Sequence, residues 1–310
     1  PAAPDRPAGP AITTAGLTRV FGSGARARTV VDRLDLVVPR GVVYGFLGPN
    51  GSGKSTTMKM LLGLLEPTAG SVRLLGQDLT RAARGPLMAR IGSMIERPPG
   101  YGHLTGAENM RIVQKLLGLS DGQVERALAL VRLNEHRDKL VRAYSLGMKQ
   151  RLGIAMALAR EPELLILDEP TNGLDPAGIE EIRRLLVELA GRGVTVMVSS
   201  HLLDEIDRMA GVLGVLSAGR LVFQGTRAQL MERSVPDLLV VNPPRRGIGA
   251  GLAQRIEDSG AARVLYSSCN PVSLASDLEA MPSLRARRAQ LFDMFPHTDH
   301  AEVLVELARS

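Results

Sequence analysis

The spacing of apolar and polar positions predicts strands in the first part of the chain and helices after it. Between about residues 13 and 82, alternating or β-branched runs separated by glycine-containing turns predict strands at 29–38, 42–47 and 71–75. The next stretch, 86–160, predicts mostly helices. Two of these helices are expected to begin with a capping box, at Thr105 with Glu108 and at Ser120 with Gln123.

From residue 163 onward, short apolar strands alternate with helical stretches, which is typical of a parallel α/β sheet. The elements predicted there are strands at 163–167, 194–199, 212–216 and 220–224, and helices at 178–191 and 202–209. The alternation of strands and helices is interrupted near 232–236. After that point we expect strands at 238–241, 263–268, 287–292 and 303–308, and helices at about 249–258 and 272–280.

Composition narrows the class of protein. Of the 310 residues, 45% are apolar and 23% charged, which is ordinary for a globular chain and argues against disorder. No apolar run approaches the roughly 18 residues of a membrane span, and no secretory signal is visible. The single cysteine, Cys269, excludes an intrachain disulfide framework and a cysteine-rich metal site, so we expect a reducing, cytosolic setting. Aromatic residues make up only 3%, which counts against a base-stacking nucleic-acid platform.

The net charge of +6 is unevenly distributed along the sequence. Residues 236–310 contain 8 Arg and 9 acidic residues, whereas all five Lys lie in the first 235 residues. Such basicity fits nucleic acid, anionic lipid or nucleotide phosphates as partners, and it equally fits an ordinary solvated face.

A phosphate-binding loop is the most specific motif in the chain. Gly48-Pro49-Asn50-Gly51-Ser52-Gly53-Lys54-Ser55 matches G-x-x-x-x-G-K-[ST] between the strand 42–47 and a helical run at 55–65. Glycines let backbone N–H groups surround phosphate oxygens at a helix N-terminus, and the lysine can reach the β- and γ-phosphates. The Ser55 hydroxyl can ligand Mg²⁺. The nucleotide-binding residues predicted here are Gly48, Asn50, Gly51, Gly53, Lys54, Ser55 and Thr56.

An acidic pair follows the apolar strand Leu164–Leu167. Ligands bind beyond the carboxyl ends of parallel strands, so Asp168 and Glu169 are expected beside the phosphate loop. We expect Asp168 to hold Mg²⁺ through its water shell and Glu169 to polarise the attacking water. A helix-capping acidic pair is the structural alternative.

Between these two motifs lies Tyr144-Ser145-Leu146-Gly147-Met148-Lys149-Gln150. Over about residues 12–232 the chain resembles the nucleotide-binding subunit of ATP-binding-cassette (ABC) transporters, whose signature is commonly L-S-G-G-Q. Ser145 and Gly147 match it, whereas Leu146 and Met148 depart from it as in ATPases of antibiotic and lantibiotic exporters. The resemblance implies a P-loop ATPase core with a helical subdomain at about 88–160. It also implies that Ser145 and Gly147 face a γ-phosphate bound by a second subunit, so that two chains enclose two ATP.

Four further positions take roles from the same resemblance. His201, after Ser199-Ser200, looks like the switch histidine that contacts the γ-phosphate and the attacking water. Asp175, in Gly173-Leu174-Asp175, resembles the loop that communicates across the dimer. Phe21 occupies the place of the adenine-stacking aromatic, with an ordinary core Phe as the alternative. Glu96 stands where the family usually has Gln; it can still ligand Mg²⁺ or its water, or be a solvated loop residue.

The sequence after about residue 235 resembles a different family. Val241-Asn242-Pro243-Pro244-Arg245-Arg246-Gly247, Tyr266-Ser267-Ser268-Cys269-Asn270 and the run from Phe292 to Glu302 look like the C-terminal end of RNA uracil-5-methyltransferases, particularly the ribosomal-RNA branch. In that family Cys269 would attack uracil C6, Glu302 would remove the C5 proton and Asn242 would line the base pocket. A buried inert thiol is the alternative for Cys269.

That family also needs S-adenosylmethionine, yet no glycine-rich binding turn precedes residue 238. We therefore expect a partial Rossmann-like fragment with the last four strands of the sheet, an unpaired edge at 238–241 and no activity alone. The predicted organisation is a flexible leader (1–11), an ABC ATP-binding domain (12–235) and this methyltransferase-like fragment (236–310).

The leading hypothesis is an ATP-hydrolysing subunit of an exporter of drugs or antimicrobial peptides. It would use ATP and Mg²⁺, act as a homodimer with a separate transmembrane permease, and lie peripherally at the cytoplasmic face of the membrane, with RNA an unlikely partner. One alternative is an RNA uracil-5-methyltransferase acting through the C-terminal part. Another is an ATPase that controls translation or repair, although such members generally carry two cassettes per chain.

Overall fold

The computed structural model describes residues 9–96, 98–207, 209–233, 237–244, 246–292 and 302–309. It divides the chain into two compact units after Arg227, whereas the boundary predicted from the sequence lies at 235/236. Ala11, the last residue of the predicted leader, is fully buried, and its N–H donates to Val38 O at 2.7 Å. Residues 1–8 of that leader lie outside the described residues.

The first unit contains eleven strands and seven helices among its described residues. The strands are β1 (Ile12–Phe21), β2 (Arg28–Leu34), β3 (Val37–Val38), β4 (Val43–Leu47), β5 (Ala69–Leu74), β6 (Gln77–Asp78), β7 (Ile91–Met94), β8 (Leu164–Leu167), β9 (Thr195–Ser200), β10 (Val212–Ser217) and β11 (Arg220–Gly225). The helices are α1 (Lys54–Leu61), α2 (Arg84–Met88), α3 (Gly106–Leu117), α4 (Asp121–Leu130), α5 (Leu146–Leu158), α6 (Pro176–Gly191) and α7 (Leu203–Asp207). A further helix, α8 (Arg227–Arg233), spans the division between the units.

Two sheets form the framework of this unit. An antiparallel sheet has the order β2-β1-β5-β6, with β3 also paired to β1. The second sheet has the order β11-β10-β4-β9-β8-β7; its members are parallel except for β11 at one edge. Every residue of β4 and β8 is buried, as expected of central parallel strands that read as continuous apolar runs. The predicted α/β class with a P-loop core is confirmed.

Strand β7 lies inside the stretch that the sequence analysis assigned mostly to helices, and that assignment is wrong there. Four residues are too few to show a regular spacing of apolar and polar positions. The strand is therefore defined only by the pairing of β7 with β8. Gly92 is also needed for packing, because a Cβ at this position would lie 2.2 Å from Ala157 O. Tertiary packing against α5 therefore decides the conformation of these residues.

Both predicted capping boxes are confirmed. Thr105 Oγ1 accepts the N–H of Glu108 at 3.1 Å, and Ser120 Oγ accepts the N–H of Gln123 at 3.3 Å, with the return bonds also present. Each box satisfies two of the N–H groups that a helix start leaves unpaired. These caps fix the starts of α3 and α4, the two helices that precede the Ser145 turn.

The second unit is built around a sheet of its own. Its strands are β12 (Leu238–Val241), β13 (Arg263–Ser268), β14 (Leu284–Phe292) and β15 (Glu302–Arg309), and its helices are α9 (Ala250–Asp258) and α10 (Pro271–Glu279). The sheet order is β12-β13-β15-β14, in which β12 and β13 are parallel and the other pairs antiparallel. A separate core packs between sheet and helices, formed by residues such as Tyr266, Val264, Leu274 and Met281.

The elements predicted after residue 236 are confirmed to within a few residues at their ends. Among the described residues β12 pairs only with β13, so it is the edge strand that the sequence analysis expected. Leu238 and Val240 on this strand are 39% and 71% exposed.

None of the helices in the described ranges combines the length and apolarity that crossing a bilayer requires.

Candidate nucleotide site and the C-terminal sheet end

The carboxyl ends of three neighbouring strands lie at the same edge of the parallel sheet. β9 lies between β4 and β8, with Leu47 opposite Ser200 and Leu167 opposite Val198. The phosphate loop follows β4, the acidic pair follows β8 and His201 follows β9. The topology therefore brings together three motifs that are far apart in the sequence, as binding at the carboxyl ends of parallel strands requires.

The phosphate loop has the shape that a nucleotide phosphate needs. Gly51 and Gly53 adopt left-handed conformations, with φ of 79° and 107°. A Cβ at Gly48 would lie 2.4 Å from Leu216 O, so only glycine fits there. Ser52 Oγ is buried and has no hydrogen-bond partner among the residues that the structure describes, although a buried hydroxyl normally has one. The residues present fit a bound phosphate that would supply this partner.

Lys54 is held at the start of α1, only 6% exposed. Its Nζ donates to Gly48 O at 2.6 Å and to Pro49 O at 3.3 Å, and it lies 3.4 Å from Glu169 Oε1. Ser55 and Thr56 follow in the first turn of the helix and are half-buried. Asn50 is exposed at the tip of the loop. The amine is thus at the mouth of the loop, as phosphate binding by this motif requires.

Glu169 is the centre of the charged cluster. One carboxylate oxygen faces Lys54, and the other, Oε2, lies 2.7 Å from His201 Nδ1. Its backbone has φ of 48°, a left-handed conformation that costs a non-glycine residue about 1–3 kcal/mol and is concentrated at functional sites. The predicted base and the predicted switch histidine are therefore in direct contact.

Ser199, to which no sequence motif points, connects the two acidic residues. Its hydroxyl is fully buried, donates to Asp168 Oδ1 at 2.5 Å and accepts the N–H of Glu169 at 2.9 Å. Asp168 is only 5% exposed, so this bond also satisfies a buried carboxylate. The signal in the sequence is a hydroxyl residue at the end of the buried strand beside β8.

Glu205 is a second residue that the sequence analysis did not single out. Its Oε2 accepts a hydrogen bond from Thr171 Oγ1 at 2.6 Å and another from Ser200 Oγ at 3.1 Å. Thr171 lies between Glu169 and Asp175, and Ser200 immediately precedes His201. No local sequence pattern indicates this pairing, because the bonds depend on how α7 packs against the strand ends.

Phe21 ends β1 with 40% of its surface exposed. The guanidinium carbon of Arg19 lies 4.5 Å from the centre of its ring. A cation over one face of the ring stabilises this orientation by cation–π attraction. Phe21 is thus a partly exposed aromatic residue and not a buried core residue, so the core alternative is wrong.

Glu96 follows β7 in a left-handed conformation with φ of 70°. Its Oε1 forms an ion pair of 2.5 Å with Lys59 Nζ, and its side chain is 65% exposed. Its predicted role as a Mg²⁺ ligand remains a prediction, because in this structure the carboxylate faces a lysine.

The turn at Ser145, which precedes α5, and the loop 173–175, which precedes α6, lie side by side. Ser145 caps α5 by accepting the N–H of Met148 at 3.2 Å, and Asp175 caps α6 by accepting the N–H of Gly178 at 3.1 Å. Both residues, with Gly147, line one surface cavity of about 350 Å³. Two helix N-termini meet at this cavity, an arrangement that favours an anionic group.

In the second unit, strand register places the three predicted residues at one end of the sheet. Val241 is opposite Tyr266 and Ser268 is opposite Val303, so Asn242, Cys269 and Glu302 all lie at the carboxyl ends of β12 and β13. Cys269 is a half-buried free thiol. The carboxylate of Glu302 accepts a hydrogen bond from Ser267 Oγ. The part of the third motif from 293 to 301 lies outside the described residues.

A buried carboxylate holds the loop after β12 in place. Asp277, 5% exposed on α10, accepts the N–H of Ile248 at 2.9 Å, the N–H of Gly249 at 3.2 Å and the hydroxyl of Tyr266. Burial, together with the bond to this carboxylate, raises the pKa of Tyr266 well above its usual range. No sequence motif points to Asp277, whose bonds form only when α10 packs on the sheet.

The fold and the first site define a nucleoside-triphosphate-binding domain of the P-loop class. A family model described as ABC transporter matches residues 31–172, and a second, described as tRNA (Uracil-5-)-methyltransferase, matches residues 224–310. The second match supports the predicted resemblance to uracil-5-methyltransferases. Its description names tRNA, so the ribosomal-RNA branch remains a prediction.

Curated relatives point to the same class. The bacitracin transport ATP-binding protein of Enterococcus faecalis is 48% identical over 72% of this chain and 71% of its own length. The lantibiotic transport ATP-binding protein of Streptococcus pyogenes is 43% identical over 64% of this chain and 84% of its own. The Nod factor export ATP-binding protein I of Ralstonia nicotianae is 35% identical and aligns with 94% of this chain and 96% of its own, so that alignment extends into the second unit.

Among solved structures, cbiO1 of Clostridium perfringens, part of an ABC transporter complex, has a TM-score of 0.67 at 27% identity and covers 73% of this chain and 92% of its own. The chain belongs to the family of ABC transporter ATP-binding proteins, and it is an ATP-binding cassette with ATPase function.

Proposed function

We propose that this chain is the ATP-hydrolysing subunit of an exporter of drugs or antimicrobial peptides and that it drives a separate membrane permease. The observation that carries the hydrolytic role is the carboxylate of Glu169, held between Lys54 Nζ at 3.4 Å and His201 Nδ1 at 2.7 Å. The choice of exported molecule draws on relatives named for bacitracin and lantibiotic transport.

Hydrolysis in this proposal depends on positioning and charge neutralisation. Glu169 polarises the attacking water, and His201, bonded to the same carboxylate, contacts the γ-phosphate. Lys54 neutralises charge on the β- and γ-phosphates. The two catalytic side chains are already in contact in this structure.

Mg²⁺ would be held by the Ser55 hydroxyl and the Asp168 carboxylate, with Glu96 as a further ligand directly or through water. Within the described ranges no three His, Cys, Asp or Glu side chains cluster as a metal cage. A Mg²⁺ ion in a nucleotide site is usually held by substrate phosphates, water and one or two carboxylates. When bound, the ion supplies positive charge to the phosphate oxygens. Glu96 would first have to exchange its ion pair with Lys59.

The remaining predicted residues bind the base and the partner cassette. Phe21 stacks on adenine with its exposed surface while Arg19 stabilises the ring. Ser145, Gly147 and Asp175, which line one cavity, approach the γ-phosphate bound by a second copy of the chain. Their common location supports a homodimer that encloses two ATP.

Coupling to the permease passes through the segment from Glu96 to His103. Tyr101 there is 57% exposed, yet its backbone is fixed by Asn109, whose side chain accepts the Tyr101 N–H at 2.7 Å and donates to Tyr101 O at 3.1 Å. An exposed aromatic residue on a rigidly held loop suits a protein contact. In this proposal the subunit is peripheral, at the cytoplasmic face of the membrane.

A second candidate function is uracil-5 methylation by the second unit. It is favoured by the family match over residues 224–310 and by the common sheet end of Asn242, Cys269 and Glu302. We rank it second because, within the described ranges, β12 is an edge strand and the elements that precede it are those of the cassette and α8. We propose that residues 236–310 are a methyltransferase-like segment joined to an ABC domain at 12–235. Calorimetry with S-adenosylmethionine tests the activity, and we expect no binding.

Substitution Glu169→Gln tests the leading proposal. The amide cannot act as the base, so ATP hydrolysis should fall by about a hundredfold or more while ATP binding persists. Gel filtration with light scattering should then show a dimer in ATP that the parent protein does not accumulate. Glu161→Gln, at an exposed carboxylate paired with Arg126, is the matched control and should behave as the parent. A parental hydrolysis rate in Glu169→Gln would overturn the assignment of the base.

A further inference from the structure

A hydrogen-bonded node lies next to the catalytic cluster and includes none of the residues assigned above. Its centre is Glu205 on α7, a half-buried residue whose Oε2 receives the hydroxyls of Thr171 and Ser200 at 2.6 and 3.1 Å. The two hydroxyl residues are 2% and 1% exposed. One carboxylate oxygen therefore joins two separate loops of the site.

The first of these loops runs from the base to the predicted dimer contact. Asn172 N–H donates to Glu169 O and Leu174 N–H donates to Thr171 O, both at 3.1 Å. Asp175 then caps α6. Because these bonds follow one another along the chain, displacement of Thr171 would move both the Glu169 end and the Asp175 end of the loop.

The second loop carries the switch histidine. Ser200 is the last residue of β9, and its Oγ accepts the N–H of Leu202 at 3.0 Å while it donates to Glu205. The hydroxyl thus bridges the residues on either side of His201. A fixed Ser200 hydroxyl limits how far the histidine can turn away from Glu169.

The energetics favour a positioning role for this carboxylate. Hydrogen bonds to an ionised acceptor are shorter and stronger than neutral ones. Removal of the acceptor would take from the buried Thr171 hydroxyl its bond of 2.6 Å and would leave the Ser200 hydroxyl with Leu202 alone. A lost buried partner costs more than an average bond contributes. The loops would then move to find new partners, and Glu169 and His201 would move with them.

We propose that Glu205 is a positioning residue that holds the loop 169–175 and the turn 200–202 in a fixed arrangement. The base Glu169, the switch histidine His201 and the predicted dimer contact Asp175 would then move together. The inference rests on the proposed roles of Glu169 and His201. Glu205 acts through the two hydroxyls and does not contact the nucleotide.

The test compares Glu205→Ala with Glu205→Gln in the full chain by steady-state ATP hydrolysis. Misplacement of catalytic groups by about 1 Å can cost a hundredfold, so the Ala variant should lose about 10- to 100-fold in kcat with little change in KM. A carboxamide oxygen can accept the same two hydroxyls, so Glu205→Gln should recover most of the rate. Glu188→Ala, at an exposed ion pair with Arg192 on α6, is the control and should keep the parental rate.

Thr171→Val and Thr171→Ser provide a second, independent arm that does not require Glu205→Ala to fold. Val removes the hydroxyl at similar volume and should reduce kcat, whereas Ser retains it and should not. In the double variant Thr171→Val/Glu205→Ala the two losses should not add, since both break the same bond. Additive losses, an unchanged kcat in Glu205→Ala, or a Gln variant as slow as the Ala variant would each contradict the proposal.

Glu169→Gln in the same assay distinguishes a failure of the positioning role of Glu205 from a failure of the proposed catalytic site. If Glu169→Gln is inactive and Glu205→Ala hydrolyses ATP at the parental rate, only the role of Glu205 is wrong. If Glu169→Gln itself keeps the parental rate, the proposed catalytic site fails, and the positioning role fails with it.

Discussion

The two units each present predicted catalytic residues at one end of a sheet, but among the described residues only the first unit joins them by direct side-chain contacts. Glu169 touches Lys54 and His201, and Ser199 connects Asp168 to the backbone of Glu169. In the second unit, register alone brings Cys269 beside Glu302, whose carboxylate is bonded to Ser267. A motif thus predicts where a residue lies more readily than which atoms it touches.

Topology explains the difference. In the first unit, five adjacent parallel strands point their carboxyl ends to the same edge, so the loops after β4, β8 and β9 converge. Among the described strands of the second unit only β12 and β13 are parallel, while β15 runs in the opposite direction and begins at that edge. A four-stranded sheet with one parallel pair supplies fewer loop ends from which a pocket can be built.

Lys54→Ala should cause a large loss of ATP hydrolysis by the first unit. Loss of the buried amine removes the charge that the phosphate loop presents, so kcat/KM for ATP should fall by about 10²- to 10³-fold. Steady-state hydrolysis checks this. Lys59→Ala, on the same helix with its amine paired to Glu96, is the control and should lose far less. Equal losses in the two variants would contradict the role of Lys54.

Asp277→Ala tests whether the second unit is a folded body independent of the ATP site. The substitution leaves the Tyr266 hydroxyl and the N–H groups of Ile248 and Gly249 without their acceptor, which should cost about 3 kcal/mol in the free energy of unfolding of this unit. Amide hydrogen exchange should rise in β13 and α10 while ATP hydrolysis is unchanged. Glu279→Ala, exposed on the same helix, is the control. Unchanged exchange in β13 would contradict the role of Asp277.

Glu163→Gln should change the free energy of unfolding of the first unit only slightly. The Arg90 guanidinium, at 2.6 Å, and then Arg40 lower the pKa of the Glu163 carboxyl below its usual range, against the opposing effect of burial. A carboxyl whose pKa is lower in the folded state stabilises above its unfolded pKa, and this contribution is lost as pH falls through the folded value. Because both side chains are about one-third exposed, the effect on the free energy of unfolding should be under about 1 kcal/mol.

Urea unfolding of the parent and Glu163→Gln at neutral and acidic pH checks this prediction. The stability difference should be present at neutral pH and should disappear as pH falls below the lowered pKa of Glu163. Glu161→Gln, at a more exposed pair, should show a smaller difference. A difference that grows on acidification would contradict the sign of the argument.

Local features were predictable from the sequence, and contacts between distant side chains were not. The phosphate loop and both capping boxes depend on residues a few positions apart, so periodicity and spacing identified them. Strand β7 was not predicted because its conformation depends on pairing with β8 and on Gly92 packing against α5. Ser199, Glu205 and Asp277 were not predicted because each forms at least one bond with a residue 11 to 34 positions away.

The most direct test compares ATP hydrolysis by the parent, Glu169→Gln and Cys269→Ser/Glu302→Gln at equal protein concentration. The chemistry of this chain is assigned to the strand ends of the first unit. This assignment predicts a loss of about a hundredfold or more in Glu169→Gln and the parental rate in the double variant. A parental rate in Glu169→Gln, or a comparable loss in the double variant, would contradict it.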